Sequence, residues 1–392
     1  MPPTRRQPAP WHVVTCEYPP QSGGVSDYTY LVAKGLAAHG DQVHVWCPAA
    51  KDQAPHVPGV DVRQTLGRFS IADLRNLGRN LDAFPSPRHI LVQWVPHGFG
   101  YKSVNLPFCL WLWNRARHRD TVDLMVHEPF LPFAPGRWRQ NAAATVHRVM
   151  MRILLRSAGR VCLSTPAWEP LIRPYDWNRE RNYEWLPLPS TVPAVNDPAA
   201  SLQLKDRYNA AGVLLGHFGT FGPSVTPMLG AIIPPLLQAS QGAAMILIGP
   251  GSAAFREHLV RDFPQLAPAL FAVGQIDARD PRLSLHISAC DLLIQPYPDG
   301  VTGRRTSMMA ALSHGRPTIT TSGPFTEPMW KESRAVVLTP AGDMDALVSS
   351  ARQLIENPAA RAALGEAGQA FYRRNFDIEH VVDLLRGDFG AQ

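Results

Sequence analysis

Short runs of β-forming residues alternate with helical patterns along most of the 392-residue chain, and this alternation limits the possible folds more than any other feature. Several strand-like runs, such as Met245–Ile248, are apolar without interruption, which is typical of strands covered on both faces of a parallel sheet. Repeated strand–helix units of this kind predict doubly wound, Rossmann-like α/β domains.

The alternation extends through both halves of the chain. The predicted strands are Trp11–Cys16, Val43–Cys47, His89–Val95, Leu124–His127, Val161–Ser164, Leu214–Phe218, Ala244–Ile248, Leu270–Val273, Leu292–Gln295 and Pro317–Thr321. The predicted helices are Asp27–His39, Ile71–Ala83, Asn105–His118, Thr145–Ser157, Val225–Gln238, Ala253–Asp262, Arg282–Ala289, Thr306–His314, Asp343–Glu356, Ala359–Tyr372 and Ile378–Leu385.

The chain is too long for one hydrophobic core, since single cores rarely grow beyond about 250–300 residues. A proline-rich stretch, Leu186–Pro198, lies between the two halves of the alternating pattern. We therefore predict a first domain over residues 1–193 and a second over residues 194–375. Two such domains that face each other form a cleft, which is a common place for ligands.

Composition excludes several classes of protein. With 45% hydrophobic and 18% charged residues, the chain is not expected to be disordered. Its longest apolar run, Leu106–Trp113, is much shorter than the roughly 18 residues that a membrane-spanning helix needs. The five cysteines are scattered without a C-x-x-C pair, which argues against a disulfide framework and against a zinc site. We expect a cytoplasmic protein.

Positive charge is concentrated in the first half. The first 195 residues hold 22 Lys and Arg against 14 Asp and Glu, whereas the remainder hold 16 against 18. A basic half suits a membrane surface, an anionic acceptor or nucleic acid, and no nucleic-acid-binding signature supports the last of these. Four arginines recur at every fourth position: Arg148, Arg152, Arg156 and Arg160. They form either the solvated face of a core helix or a contact for anionic lipid head groups or a lipid diphosphate at the inner membrane face.

Three glycine-bearing loops follow predicted strands: Pro19–Asp27, His217–Gly222 and Ile248–Ser252. Each loop is a weak signal alone, because turns between strands and helices often need glycine. Together they lie at the carboxyl ends of strands, where open α/β sheets bind ligands. The candidate binding residues of these loops are Gly24, Gly219, Thr220 and Gly249.

The strongest site signal is the segment Pro296–Pro317, where a loop leads from a strand end into a helix that ends at Gly315. Backbone N–H groups, the positive helix end, two guanidinium groups and two hydroxyl groups converge there, which suits a diphosphate held without a metal ion. The alternative is an ordinary capped helix, with Thr306 or Ser307 as its N-cap and solvated arginines. The candidate residues of this segment are Asp299, Gly300, Thr302, Arg304, Arg305, Thr306 and Ser307.

Three segments of the chain resemble a family-4-type retaining glycosyltransferase with the GT-B fold. Gly23–Val43 resembles that family's glycine loop, first helix and second strand, and Leu124–Phe130 resembles its mid-domain strand, which ends in a sugar-contacting histidine. Cys290–Thr321 resembles its nucleotide-sugar motif. The resemblance implies an acceptor-side first domain, a nucleotide-sugar-binding second domain, and a helix in residues 376–392 that crosses back to the first domain.

The chain departs from the family at one part of the donor motif. The family has two glutamates eight positions apart, one at the sugar and one at the ribose. At that spacing this chain has Asp299 and Ser307. Counting back from Gly315 instead places Ala310 at the position of the second glutamate.

A second departure concerns the family's Arg and Lys after the glycine of the second domain. In this chain Thr220 follows Gly219, and Pro227 stands near the lysine position. We infer that Arg304 and Arg305 supply the charge that these positions lack.

The resemblance also implies roles for individual side chains. His127 is the candidate for contact with the sugar, and Asp299 is the second catalytic candidate. Glu128 either orients His127 or binds the acceptor. Glu327 either caps the next helix or accepts a hydrogen bond from a ribose hydroxyl.

The candidates for acceptor binding and for metal binding lie on separate segments. His97 and Tyr101 lie in an aromatic, glycine-rich segment that either shapes an acceptor pocket or is a plain aromatic loop. The motif Asp343-Met-Asp345 imitates a metal-binding D-x-D, but it precedes a helical pattern and is interpreted as an N-cap and a first-turn acid. No metal site and no cofactor are predicted.

The implied activity is that of a metal-independent, retaining hexosyl-type glycosyltransferase in polysaccharide or glycolipid synthesis. Its expected partners are a nucleotide-diphosphate sugar, a glycan or lipid-linked acceptor hydroxyl and, at its periphery, an anionic membrane, with no nucleic acid. The alternative is a non-catalytic GT-B-like protein that binds a nucleotide sugar or serves as a partner subunit. A GT-B epimerase is a third interpretation, for which Asp299 and Glu327 alone do not establish the acid/base groups.

Overall fold

A computed structural model describes residues 10–21, 23–118, 120–208 and 212–387. These residues form two compact units. The first comprises the described residues up to Pro187 together with those from Val381 onward, and the second comprises Leu188–His380. The division between Pro187 and Leu188 lies within the proline-rich stretch.

The first unit is built on a seven-stranded parallel sheet with strand order β3-β2-β1-β4-β5-β6-β7. Its strands are β1 (Trp11–Thr15), β2 (Val43–Pro48), β3 (Val60–Leu66), β4 (His89–Trp94), β5 (Thr121–Val126), β6 (Arg160–Leu163) and β7 (Glu184–Trp185). The direction of strand addition reverses between β1 and β4, and such reversals open a crevice at the carboxyl ends of the strands.

Helices cover this sheet: α1 (Gly24–Ala38), α2 (Ile71–Asp82), α3 (Leu106–Arg117), α4 (Trp138–Ser157) and the short α5 (Glu169–Ile172). Local sequence explains where two of them begin. At α2, Ser70 and Asp73 form a reciprocal capping box. At α3, the side chain of Asn105 accepts a hydrogen bond of 2.9 Å from the backbone N–H of Phe108.

The second unit is built on a six-stranded parallel sheet with strand order β10-β9-β8-β11-β12-β13. Its strands are β8 (Leu214–Phe218), β9 (Ala244–Ile248), β10 (Leu270–Gly274), β11 (Leu292–Gln295), β12 (Thr318–Ser322) and β13 (Val337–Pro340). Every residue of β9 is buried, which explains its uninterrupted apolar sequence. Here the reversal in strand order lies between β8 and β11.

Eight helices of the second unit lie within its described residues: α6 (Pro198–Arg207), α7 (Thr226–Ala239), α8 (Ser252–Asp262), α9 (Pro281–Ala289), α10 (Thr306–Ser313), α11 (Pro328–Glu332), α12 (Met344–Glu356) and α13 (Pro358–Asn375). None of the helices in the described ranges of the chain is long and apolar enough to cross a membrane.

The last helix, α14 (Ile378–Arg386), contributes its residues from Val381 onward to the first unit. The guanidinium group of Arg160 donates to the carbonyl oxygens of Leu385 at 2.7 Å and Leu384 at 2.8 Å. The side chains of Val381, Val382 and Leu385 are buried. This end of the chain is therefore part of the packed structure of the first unit.

The two parallel sheets confirm the predicted fold class, whereas several elements differ from their predictions. The strands β3, β7 and β13 and the helices α5, α6 and α11 were not predicted. The strand β3 is mostly polar and half-exposed, so it lacks the apolar run on which the prediction relied. The helix α4 begins seven residues before the predicted Thr145, because residues 138–144 combine an exposed tryptophan, three polar residues and three alanines and so lack the apolar stripe on which the prediction relied.

Candidate functional site

His127 immediately follows β5, which pairs with β4 in the first sheet. Neighbouring segments hydrogen-bond to both its backbone N–H and its carbonyl oxygen. Its N–H donates to the carbonyl oxygen of Trp94 at 3.0 Å. Its own carbonyl oxygen accepts from the hydroxyl of Ser164 at 3.1 Å and from the indole N–H of Trp168 at 3.0 Å. The main chain at this candidate residue is therefore fixed by the neighbouring segments.

The imidazole of His127 is fixed as well. Its Nε2 lies 2.7 Å from Oε1 of Gln93, which belongs to β4. The ring of Tyr28 contacts the imidazole edge to face, with the ring centroids 4.9 Å apart. His127 is 6% exposed and Gln93 is fully buried. The sequence did not predict this hydrogen bond.

The glycine loop before α1 is filled by a carboxylate of the chain itself. Oε1 of Glu17 accepts a hydrogen bond of 3.0 Å from the backbone N–H of Ser26 in the first turn of α1. A Cβ atom at Gly23 would lie 2.2 Å from the same oxygen, so a larger residue there would displace the carboxylate of Glu17. A Cβ atom at Gly24 would meet nothing within 4 Å. Gly24 therefore remains a candidate only by its position.

The predicted acceptor-binding residues are exposed. Nδ1 of His97 lies 3.6 Å from Oε2 of Glu128, and their side chains are 65% and 46% exposed. Tyr101 is 64% exposed and lies against two cations, Arg68 at 5.9 Å and Lys102 at 5.3 Å from its ring centroid. The structure thus brings His97 and Glu128 together and places Tyr101 in a cation-rich environment.

In the second unit, two of the glycine loops pack backbone against backbone. The N–H of Gly219 donates to the carbonyl oxygen of Ile248 at 3.0 Å. Gly249 has a φ of 130°, and a Cβ atom there would lie 2.0 Å from the carbonyl oxygen of Gly219. Close approach therefore explains glycine at position 249 without a ligand. Thr220, the next candidate in the loop, is exposed.

The loop after β11 packs closely against the segment that follows β12. Gly300 has a φ of 88°, and a Cβ atom there would lie 2.3 Å from the backbone nitrogen of Gly323. The carbonyl oxygen of Asp299 accepts from the N–H of Phe325 at 3.3 Å. Thr302 is 9% exposed, and its backbone carbonyl oxygen closes a turn by accepting a hydrogen bond of 3.1 Å from the N–H of Arg305. The candidate residues of this loop therefore have fixed backbone positions.

The helix α10 begins at Thr306 with Arg305 in the N-cap position, and no side chain caps it. The alternative in which Thr306 or Ser307 is the N-cap is therefore wrong. The hydroxyl of Ser307 is instead 2.9 Å from the hydroxyl of Tyr297, near the start of the same loop. The helix ends at Ser313, two residues before Gly315, which has a φ of 63°.

Arg305 is engaged by the chain itself. Its guanidinium group forms an ion pair with the carboxylate of Asp299 and lies 4.7 Å from the ring centroid of Tyr297. The predicted catalytic Asp299 and the predicted donor-binding Arg305 are thus direct partners, with side chains 38% and 33% exposed. Arg304 lies half-buried in the same turn.

Glu327 occupies the N-cap position of α11, but its side chain does not cap that helix. Its carboxylate accepts from the N–H of Gly303 at 3.2 Å and from the indole N–H of Trp330 at 2.9 Å. The prediction that this side chain caps the next helix is therefore wrong, because the carboxylate turns back towards the loop before α10. A contact with ribose stays a prediction.

His217 lies at the end of β8, and the sequence did not predict a role for it. Its Nδ1 donates to the carbonyl oxygen of Ile294 at 2.8 Å, so Nε2 is the acceptor of a neutral ring. Nε2 is buried, has no hydrogen-bond partner, and would lie 3.5 Å from a Cβ atom at Gly219. Burial lowers the pKa of His217 to about 4. A polar residue at an otherwise apolar strand end was the signal that could have identified it.

Arg148, Arg152 and Arg156 lie on α4, whereas Arg160 is the first residue of β6, so the four periodic arginines do not form one helical stripe. They divide into two kinds of side chain. Arg148 donates to the carbonyl oxygen of Ala144 at 2.7 Å and lies 3.9 Å from the ring centroid of Phe133, and Arg160 is bound to the end of α14. Arg152 and Arg156 instead lie 5.0 and 5.5 Å from the ring centroid of Trp177. Trp177 is 62% exposed. The middle pair therefore belongs to an exposed aromatic and basic surface, whereas the outer pair stabilises the first unit.

The D-x-D sequence is part of a helix start. Oδ1 of Asp343 accepts from the N–H of Ala346 at 2.9 Å, which confirms the N-cap interpretation, and Asp345 lies in the first turn of α12. In the ranges that the structure describes, no group of three or more His, Cys, Asp and Glu side chains is arranged to hold a metal ion.

A groove of about 630 Å³ lies away from these loops, at the opposite edge of the second sheet. Lys205, Asp291 and Arg316 contribute to its lining. Nζ of Lys205 is 2.6 Å from the carboxylate of Asp291, so this groove contains an ion pair of its own. It contains none of the candidate site residues.

Comparisons with known proteins agree with these two units. Residues 23–188 match the family model of a glycosyl transferase 4-like domain, and residues 213–357 match that of glycosyl transferases group 1. A search of curated protein sequences finds no match.

Solved structures resemble the chain over nearly its whole length. The Anabaena HepE protein in complex with UDP has a TM-score of 0.64 at 14% identity, covering 98% of this chain and 100% of that one. Sucrose-phosphate synthase from Thermosynechococcus elongatus has a TM-score of 0.67 at 17% identity, covering 98% and 100%. The UDP-forming α,α-trehalose-phosphate synthase from Burkholderia xenovorans, in complex with glucose-6-phosphate, has a TM-score of 0.64 at 12% identity, covering 97% and 99%. At these identities the likeness establishes the fold.

Proposed function

This chain belongs to the family-4-type glycosyltransferases with the GT-B fold, and we propose that it transfers a sugar from a nucleotide-diphosphate donor to an acceptor hydroxyl with retention of configuration. The observation that carries this proposal is the start of α10, where an uncapped helix N-terminus follows two arginines. Solved relatives described with UDP and with UDP-glucose support a nucleotide-sugar donor.

The donor's diphosphate would bind at the start of α10. Free backbone N–H groups and the positive helix end favour an anion there, and Arg304 and Arg305 add charge. As the bond to the sugar breaks, negative charge grows on the leaving diphosphate, and the same groups stabilise it. Before the donor arrives, the guanidinium of Arg305 is paired with Asp299, and the diphosphate would compete with that carboxylate for it. We therefore propose that transfer needs no divalent cation.

The acceptor side would lie in the first unit. His127 has a rigid position from which a ring nitrogen can meet a sugar hydroxyl. Glu128, the next residue in the chain, forms an exposed pair with His97. We assign none of the carboxylates described above as a nucleophile for retention. The proposed catalytic residue is His127, and Asp299 is proposed as a positioning residue that acts through Arg305.

We further propose an acceptor on a glycan or lipid carrier, in polysaccharide or glycolipid synthesis, with peripheral contact at an anionic membrane in the cytoplasm. The exposed Trp177 beside Arg152 and Arg156 supports this proposal. Indole rings settle at the interface of a bilayer, and arginines are attracted to its anionic head groups.

A second candidate function is a non-catalytic GT-B-like protein that binds a nucleotide sugar or serves as a partner subunit. The observation that favours it is Ala310, which is fully buried in α10 at the position of a family glutamate. An alanine offers no carboxylate to a ribose hydroxyl. Thr220 and Pro227 likewise replace family cations.

The two candidates are separated by binding and turnover. A thermal-shift screen of nucleoside diphosphates identifies the base, and release of that nucleotide from a panel of sugar donors then measures turnover. We expect stabilisation by one nucleoside diphosphate, nucleotide release that persists in EDTA, and a product with the donor's anomeric configuration by NMR. Binding without release from any donor would favour the non-catalytic candidate, and loss of turnover in EDTA that magnesium or manganese restores would overturn metal independence.

A further inference from the structure

Gln93 is the partner that the structure assigns to the imidazole of His127. The two residues lie on neighbouring strands, because Gln93 pairs with Met125 and Trp94 pairs with Val126 in the register of β4 and β5. Side chains alternate along a strand, so Met125 and His127 point to the same face as Gln93. The amide therefore reaches the imidazole diagonally across two strands, at 2.7 Å.

We propose that Gln93 is a positioning residue that holds His127 in one ring orientation and one tautomer, and so determines which ring nitrogen meets the sugar. The proposal rests on the role that the proposed function gives to His127. It adds a residue that the family resemblance did not assign. Gln93 itself would not contact the reacting atoms.

The chemistry of the amide determines the tautomer. The atom of Gln93 that faces His127 is the carbonyl oxygen Oε1, which can only accept. Nε2 of His127 must therefore carry the proton. In the neutral imidazole Nδ1 is then the acceptor, so His127 meets a hydroxyl group by accepting its hydrogen rather than by donating one.

The stability of the first unit does not explain a glutamine at this position. The neighbouring residues Ile90, Leu91, Val92 and Trp94 of β4 are buried and large, and Gln93 is equally buried among them. Its amide nitrogen Nε2 is buried without a hydrogen-bond partner. A buried polar atom without a partner costs stability, so an apolar residue of the same length would serve the fold better. The glutamine is therefore more easily explained by its bond to His127.

The tautomer can be measured without any activity. In protein labelled with ¹⁵N-histidine, the His127 signals are identified by their loss in His127→Gln. We expect the Nε2–H tautomer in the natural protein, a mixture of tautomers in Gln93→Met, and the Nε2–H form again in Gln93→Glu, which keeps an accepting oxygen. Gln295→Met is the matched control, because Gln295 is also a fully buried residue near the end of a central strand and lies in the other unit. It should leave the His127 signals unchanged.

A double-mutant cycle tests whether Gln93 acts through His127. With a donor that the natural protein uses, we expect Gln93→Met to lower kcat by about 10-fold with little change in KM for the donor, and Gln93→Glu to recover part of that loss. In a His127→Ala background Gln93→Met should change kcat by less than about 2-fold. An Nδ1–H tautomer in the natural protein, an unchanged tautomer in Gln93→Met, or equal effects in both backgrounds would overturn the proposal. If no donor is used at all, the proposed function fails while the tautomer measurement still decides this one.

Discussion

At the carboxyl edge of the first sheet His127 and its partner Gln93 are buried, whereas at that of the second sheet Asp299 and Arg305 form a charged pair that is partly exposed. His127 is 6% exposed and is hydrogen-bonded to the fully buried Gln93. Asp299 and Arg305 form an ion pair whose side chains are 38% and 33% exposed. Both sites follow strands of parallel sheets, so the strand pattern alone does not account for the difference.

The difference shows which physical task suits each edge. A neutral hydrogen bond in a buried place fixes a side chain in one orientation, because no water competes for either partner. A charged pair near solvent can instead exchange partners with an incoming anion, because neither charge has been fully removed from water. The first edge is thus suited to orienting hydroxyl groups and the second to holding a diphosphate.

The largest expected effect comes from removing the end of the chain, because the residues from Val381 onward belong to the first unit and not to the second. Truncation after His380 removes Val381, Val382 and Leu385 from the first unit, and each such buried side chain contributes roughly 1.5–3 kcal/mol. We expect this truncation to lower the free energy of unfolding of the first unit by several kcal/mol and to reduce activity. Hydrogen exchange read segment by segment measures the loss.

A longer truncation, after Asn375, should also weaken the second unit. It removes Phe376, whose ring stacks on Trp330 with centroids 5.7 Å apart. The pair of truncations thus tests whether the first unit alone depends on the residues from Val381 onward. Natural stability and activity in both truncated proteins would contradict the prediction.

The second prediction concerns acid and the second unit. The pKa of His217 is lowered from 6.5 to about 4 by burial, so the unfolded chain takes up a proton between these values and the native chain does not. This difference has no effect on the free energy of unfolding above pH 6.5, and it lowers that free energy as the pH falls from 6.5 towards 4. It amounts to about 3 kcal/mol, since one pKa unit corresponds to about 1.4 kcal/mol.

Thermal unfolding of His217→Asn as a function of pH measures that contribution. We expect a flatter dependence of Tm on pH between 6.5 and 4 than in the natural protein. His258→Asn is the control, because the His258 side chain is 66% exposed. An unaltered slope in His217→Asn would show that the native state takes up the proton after all.

The third prediction concerns the charged edge. Arg304→Ala and Arg305→Ala should each weaken nucleoside-diphosphate binding by about 1.5–3 kcal/mol if the contact is charge-assisted. Asp299→Asn should strengthen binding, because it removes the carboxylate that competes for Arg305. Calorimetry with the nucleoside diphosphate chosen in the thermal-shift screen measures all three.

A matched control is available at another helix start of the same unit. Arg282 lies in the first turn of α9 and is paired with Asp280 at 2.6 Å, as Arg305 is paired with Asp299 at α10. Arg282→Ala should leave binding unchanged. Equal affinity in the natural protein, Arg304→Ala and Arg305→Ala would rule out the proposed diphosphate site.

Strands buried on both faces could be predicted from the sequence. The bounds of β8, β9 and β11 agree with the prediction because each is an uninterrupted run of mostly apolar residues. The strand β3 was missed because polar residues such as Asp61, Arg63 and Gln64 break any apolar run there. Edge strands need fewer apolar side chains, so the pattern that predicts central strands does not extend to them.

The sequence by itself determined that parallel sheets would form, that His127 would lie at a strand end, and that Asp299 and Arg305 would lie between a strand and the start of a helix, because burial and turn chemistry are local properties of the chain. Only the tertiary structure decided the partners of these residues. Gln93 and His127 are 34 positions apart, and Asp299 could have faced solvent, a ligand or Arg305. A hydrogen bond or an ion pair depends on the register of neighbouring strands and on the path of a loop, and neither is encoded in the spacing of residues along one segment.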